Sequence, residues 1–173
     1  MNIYLVGYMG CGKSTLGKKL ASLIKAPFYD LDALVEKQTG MSISEIFDTL
    51  GEKGFREIEA GCLRNIPGEV RTVISCGGGT PCYGDNMDYM NRTGLTVYIK
   101  IPADIIANRL FHSENKRPLL PYQSREILKD HVARMMEQRD PYYSRAHLAV
   151  EGINLNPNDL LQFINMHTAK NKD

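Results

Sequence analysis

Apolar residues fall along the chain in two rhythms that alternate from one end to the other. Short β-branched or aromatic runs read as strands, and longer stretches with apolar positions three and four apart read as helices. Ile3, Tyr4, Leu5 and Val6 form the first strand, and Leu16, Leu20, Leu23 and Ile24 mark one face of a helix over residues 14–24. Residues 27–31 form a second, short strand. Ser42-Ile43-Ser44-Glu45 has capping-box spacing and opens a helix carrying Ile46, Phe47 and Leu50, and another helix covers residues 53–65. A third strand spans residues 70–75 and ends at Gly77-Gly78-Gly79; a fourth spans 96–101. Residues 102–110 read as helix and 112–123 as a polar loop with prolines. Ile127, Leu128, His131, Val132, Met135 and Met136 give a long helix, and residues 148–151 a last strand. Asn156-Pro157-Asn158-Asp159 places a capping residue, a proline and an acid where a final helix should start.

Strands alternating with helices predict an α/β fold around a parallel sheet. Without repeat or linker, residues 1–173 read as one domain. Such sheets bind ligands beyond the carboxyl ends of their strands. That rule selects the segments after Val6, Leu31 and Ser75.

Composition narrows the field. The formal charge of the 173-residue chain is +1, and no basic run exceeds two residues. Neither the footprint of a nucleic-acid binder nor a polybasic membrane anchor is present. The first residues lack the charged start of a signal peptide, and no apolar run approaches the ~20 residues that span a bilayer. A soluble, cytoplasmic protein is expected. Cys11, Cys62, Cys76 and Cys82, with His112, His131, His147 and His167, lack zinc-site spacing and read as reduced thiols and ordinary histidines.

Directly after the first strand comes Gly7-Tyr8-Met9-Gly10-Cys11-Gly12-Lys13-Ser14, which fits the phosphate-loop pattern G-x-x-x-x-G-K-[ST] at every defined position. Glycines let the backbone curl so that N–H groups from Gly10, Cys11 and Gly12 point at phosphate oxygens, and the following helix adds the positive end of its dipole. Lys13 is expected on the β- and γ-phosphates, the Ser14 hydroxyl on Mg²⁺, and Thr15 on further phosphate oxygens. ATP and Mg²⁺ are the implied cofactors.

The remaining motifs concern the acceptor. In Asp30-Leu31-Asp32 the two carboxylates point the same way on an extended chain. Asp30 is expected to support the Mg²⁺ shell through water, and Asp32 to accept a hydrogen bond from an acceptor hydroxyl. A helix N-cap is the plain alternative for Asp32. Arg56 with Glu59 has the spacing of a solvated helical ion pair. Gly77, Gly78 and Gly79 suit either a tight strand exit or backbone contact with substrate. Arg117, in Lys116-Arg117-Pro118-Leu119-Leu120-Pro121, sits in a lid-like loop from which it would stabilise a transferring phosphoryl group. Arg139 lies near the end of the long helix, where compensation of the helix dipole is its ordinary role.

Taken in order, these residues resemble the shikimate kinase family, within the nucleoside-monophosphate-kinase-like P-loop group. The resemblance rests on the phosphate loop through Thr15, Asp30-Leu31-Asp32, Gly40 to Phe47, Gly51-Glu52 with Phe55-Arg56 and Glu59, the glycine triplet, Arg117-Pro118-Leu119-Leu120, and Arg139 with Tyr143. It covers Asn2 to about Val150 and departs at Leu31, between the two acids, and at Cys76. It implies a three-layer α/β/α sandwich with a five-stranded parallel sheet in the order 2-3-1-4-5, a substrate-binding segment near residues 32–60 and a lid near 112–123. By the same resemblance Asp32 meets the acceptor hydroxyl of shikimate, Arg56 and Arg139 hold its carboxylate, and Gly77 to Gly79 line the pocket. Lys13 and Arg117 act on phosphate, Arg109 stacks on adenine, and the protein is a monomer. The implied reaction converts ATP and shikimate into ADP and shikimate 3-phosphate.

Two other readings compete. A gluconate-type kinase would share the fold and the lid with a different acceptor pocket. A nucleotide-dependent switch would need segments that rearrange on phosphate loss and a partner surface. Two arginines beside a glycine triplet favour a cyclic carboxylate acceptor, because the planar guanidinium pairs with a carboxylate in a fixed orientation.

Overall fold

The structure is a computed structural model that describes residues 1–68, 71–113 and 120–170. Its elements run β1 (Asn2–Val6), α1 (Lys13–Leu23), β2 (Phe28–Asp30), α2 (Leu31–Thr39), α3 (Ile43–Arg64), β3 (Val73–Ser75), α4 (Asn86–Thr93), β4 (Gly94–Lys100), α5 (Ala103–Phe111), α6 (Arg125–Tyr143), β5 (Leu148–Glu151) and α7 (Pro157–Lys170). All strands pair in parallel, in the order β2-β3-β1-β4-β5.

Every residue of β1 is buried. A strand covered on both faces has no reason to alternate with polar residues, which is why it reads as an unbroken apolar run. Its side chains still divide by parity. Ile3 and Leu5, with Val97 and Ile99 of β4, enter a core that holds Leu16 and Leu20 of α1, Ile106 of α5 and Leu160 of α7. Tyr4 and Val6, with Ile74 and Tyr98, enter a second core with Val35 of α2, Leu63 of α3 and Met90 of α4. Two helical layers thus enclose one sheet, as expected. Helix α6 belongs to both sides: Leu128 and Val132 pack in the first core and Tyr143 in the second. Its last turns therefore reach the second core, carrying Arg139 to Gly78.

Local signals account for several boundaries. The capping box forms, with Glu45 N donating to Ser42 Oγ at 3.3 Å and Ser42 N to Glu45 Oε2 at 2.7 Å. Asn156 Oδ1 accepts from the N–H groups of Asn158 and Asp159 at 2.9 and 3.0 Å, so α7 begins where expected.

Other boundaries moved. The helix through Leu50 and the helix over 53–65 are one run, α3, interrupted at Gly51 (φ 68°, ψ 179°). Strand β3 begins at Val73, and β4 begins earlier than expected, at Gly94. Helices α2 and α4 and a 3-10 turn at Thr80–Cys82 were not anticipated. The sequences of α2 and α4 are largely polar, with two buried positions in the first and three in the second. In α4 too few apolar residues recur to reveal the period, and in α2 Leu31, Leu34 and Val35 carry it over a single turn only. Half of the expected lid, residues 114–119 including Arg117, lies outside the described residues.

Candidate active site

The phosphate loop leaves β1 through Gly7 (φ 142°) and reaches α1 through Gly10 (φ 77°) and Gly12 (φ 93°). These angles lie where side chains are costly. At Gly7 a Cβ would also stand 2.9 Å from the Ile99 carbonyl oxygen. The N-cap residue of α1, Gly12, offers no side chain, and the first turn of α1 holds no acid. Helices α2 to α7 each carry one there. The positive end of α1 is therefore left open to an outside anion.

Lys13 is buried, with Nζ donating to the carbonyls of Gly7 at 2.8 Å and Tyr8 at 2.9 Å. The ammonium group folds back over its own loop. Ser14 Oγ donates to Asp30 Oδ2 at 2.5 Å and lies 3.1 Å from Ser75 Oγ. This cluster of hard oxygens suits Mg²⁺, which prefers carboxylate, hydroxyl, water and phosphate oxygens. Among the described residues no group of three or more His, Cys, Asp or Glu side chains could hold a metal by itself. A cation here would need phosphate or water oxygens to complete its shell.

Across the cleft, β2 stops at Asp30 and α2 starts at Leu31. Asp30, rather than Asp32, is the capping residue, accepting weakly from Ala33 N at 3.4 Å. Asp32 sits in the first turn of a helix, so the two carboxylates converge through a strand-to-helix turn and not through an extended chain. Both line a cleft of about 260 Å³ together with Gly10, Gly12, Lys13, Ser14, Thr15, Ser75, Gly77 and Gly78.

The glycine triplet is the floor on which the acceptor-side groups meet. A Cβ on Gly77 would lie 2.7 Å from Glu59 Oε1 and 3.0 Å from Asp32 Oδ1. One on Gly79 would collide with the Arg56 guanidinium, and one on Gly78 would stand 3.4 Å from Arg139 Nη1. The tight-exit reading is therefore insufficient, because the missing side chains make room for charged groups. Arg56 and Glu59 are not a solvated pair either. Arg56 Nη1 meets Glu59 Oε2 at 2.8 Å with side-chain exposures of 12% and 0%, and Thr80 Oγ1 donates to Glu59 Oε1 at 2.5 Å. Glu52, on the exposed side, reaches Arg56 at 3.4 Å.

Arg139 does more than face a helix end. Its Nη1 is buried without a hydrogen-bond partner among the described residues. A buried, unsatisfied guanidinium nitrogen is costly, and an anionic oxygen would satisfy it. Tyr143 OH donates to the Gly78 carbonyl at 2.5 Å and fixes the floor beneath. Burial pushes the Tyr143 phenol well above its usual range, so it stays a donor. Arg109 is exposed, at the edge of the phosphate loop, and donates to Gly10 O at 3.3 Å.

The structure thus brings Lys13, Ser14, Thr15, Asp30, Asp32, the glycines, Arg56 and Arg139 around one cleft, with Arg109 beside it. Sequence reasoning missed Ser75 and Thr80 as parts of this site. Ser75 was within reach of the rule about strand ends; Thr80 had no local signal.

Comparison with known proteins agrees. The family model described as Shikimate kinase matches residues 9–167, further along the chain than the motifs alone. The shikimate kinase of Bacteroides thetaiotaomicron is 41% identical over 84% of this chain and 83% of its own length. That of Parabacteroides distasonis is 42% identical over 86% of each. Among solved structures, shikimate kinase from Acinetobacter baumannii in complex with shikimate superposes with a TM-score of 0.85 at 35% identity, covering 99% of this chain and 94% of that one. A gluconokinase from Sinorhizobium meliloti, at 17% identity and a TM-score of 0.53, shares the fold alone. On the family match and these identities, the chain belongs to the shikimate kinase family.

Proposed function

We propose that this protein is an ATP-dependent shikimate kinase, transferring the γ-phosphate of ATP to the 3-hydroxyl of shikimate and releasing ADP and shikimate 3-phosphate. The observation that carries the reading is the meeting of two halves in one cleft. An open phosphate loop lies on one side, and a carboxylate with two arginines lies on the other.

The roles follow from the chemistry. Backbone N–H groups of Gly10, Cys11 and Gly12, with Lys13 and Thr15, hold the phosphates. Ser14, and Asp30 through water, would hold Mg²⁺, which would supply charge neutralisation on the phosphate oxygens. Arg56 and the buried Nη1 of Arg139 grip the acceptor carboxylate, while the glycine floor admits the ring. That grip sets the hydroxyl against Asp32, whose carboxylate takes its hydrogen bond as the oxygen attacks phosphorus. Positioning and charge stabilisation supply most of the acceleration in phosphoryl transfer, so no stronger base is required. Arg117 acts from the lid on the transferring phosphoryl group, and the family resemblance assigns the stack on the adenine to Arg109.

Every group named comes from one chain, which supports a single catalytic domain; the monomeric state rests on the family resemblance. The four cysteines are free, which fits the reducing cytoplasm. No described helix is long and apolar enough to cross a membrane.

The test is ADP release from MgATP with shikimate, with gluconate, and with neither. Shikimate should stimulate release by more than about tenfold, since water excluded by a bound acceptor is the only competing nucleophile. Faster turnover with gluconate would replace the acceptor. ATP consumption indifferent to every small acceptor would favour a nucleotide-dependent switch.

A further inference from the structure

Tyr8 occupies a position of the phosphate-loop pattern that tolerates any residue. The residue is nonetheless 2% exposed. The Arg139 guanidinium carbon lies over its ring, 5.2 Å from the centroid. A cation over the face of an aromatic ring is attracted by the ring's quadrupole, most strongly where water is excluded. The backbone of the same residue faces the nucleotide side, where its carbonyl accepts from Lys13 Nζ at 2.9 Å. The loop also packs against the acceptor floor: a Cβ on Gly78 would lie 3.2 Å from Met9 N and 3.7 Å from the Tyr8 carbonyl carbon.

The geometry points to Tyr8 as a positioning residue for the acceptor carboxylate, its ring holding the Arg139 guanidinium so that Nη1 stays against Gly78 in the cleft floor. This rests on the acceptor reading above. A guanidinium has several rotatable bonds behind it; the Tyr143 hydroxyl restrains the group from one side, and no described residue bonds Nη1. The flat face of Tyr8 restricts where the fork can lie before substrate arrives. Less ordering is then left for binding to supply. Because the platform is part of the phosphate loop, the acceptor site is built on the nucleotide site.

The experiment is calorimetric titration of shikimate, and separately of ADP, into the parent, Tyr8→Met, Tyr8→Phe, and both parent and Tyr8→Met carrying Arg139→Lys. Tyr8→Met keeps the bulk and loses the ring. It should bind shikimate about tenfold more weakly, the scale of a desolvated cation–π contact, while ADP affinity stays within about twofold. Tyr8→Phe should restore shikimate binding, since the face and not the hydroxyl carries the effect. Arg139→Lys should weaken binding strongly in the parent and only by about threefold more in Tyr8→Met, because contacting residues are non-additive. Equal shikimate affinity in Tyr8→Met and the parent, or full additivity with Arg139→Lys, overturns the assignment alone. Loss of ADP binding in Tyr8→Met shows a ring needed for the loop itself, and overturns the assignment. A parent that binds ADP but no shikimate overturns the acceptor reading and this inference with it.

Discussion

At the scale of single residues, the site is governed by where charge is buried. Glu59 has no exposed surface and is held by Arg56 and Thr80. Removing one member of such a pair leaves an uncompensated charge, which costs about 3–5 kcal/mol when the site is fully enclosed. Arg56 retains 12% side-chain exposure, so the lower end applies. Arg56→Ala is therefore expected to raise the shikimate KM and to lower stability by about 3 kcal/mol in urea denaturation. Adding Glu59→Gln should return much of the stability and none of the shikimate binding. Stability unchanged in Arg56→Ala would mean that Thr80 and water satisfy the carboxylate alone. The pairing explains why a spacing that is ordinary on a solvated helix belongs here to the site: the partner across the gap, Thr80, lies 21 positions away in sequence.

At the scale of elements, the break in α3 sets the direction of Arg56. Gly51 adopts φ 68° and ψ 179°, a region open essentially to glycine alone. A Cβ there would meet no atom within 4 Å, so substitution is opposed by the backbone and not by packing. Gly51→Ala should cost about 1–3 kcal/mol of stability. It should also weaken shikimate binding, because relaxing the break turns the following segment, which starts with Glu52 and carries Arg56. Urea denaturation and a shikimate titration of the same variant check both halves. An alanine variant as stable as the parent would show that the break is not required. The strand-to-helix turn at Asp30 and Leu31 acts similarly on the other wall, since it turns Asp32 toward the glycine floor.

At the scale of the whole molecule, the two cores share one sheet. Residues 3 and 5 of β1 serve the first, and residues 4 and 6 the second, so neither core survives loss of the other. Thermal unfolding is expected as one cooperative transition, with calorimetric and van't Hoff enthalpies equal. Two resolved transitions would contradict the reading of the chain as one domain. The same architecture gathers the site, because β1, β2 and β3 are adjacent and parallel and their carboxyl ends lie side by side.

The sequence alone determined the parts whose physics is local. A glycine-rich loop between an apolar strand and an amphipathic helix has one well-known use, and every defined position of its pattern is present. Alternating periodicities made the α/β class legible, and the capping residues at Ser42 and Asn156 marked two helix starts, because those bonds close within three residues. Asp32, Arg56 and Arg139 were legible as candidates, through their order along the chain. Only the tertiary structure decided what those candidates touch. Burial of Glu59, the orphaned Nη1 of Arg139, the collision that a side chain at Gly79 would cause and the ring of Tyr8 beneath a guanidinium all depend on segments distant in sequence. Long-range proximity is set by sheet order and helix packing, and short-range patterns carry no record of it. Helices α2 and α4 escaped for a related reason. Few of their residues face a core, and they hold their shape by packing against it more than by their own propensity.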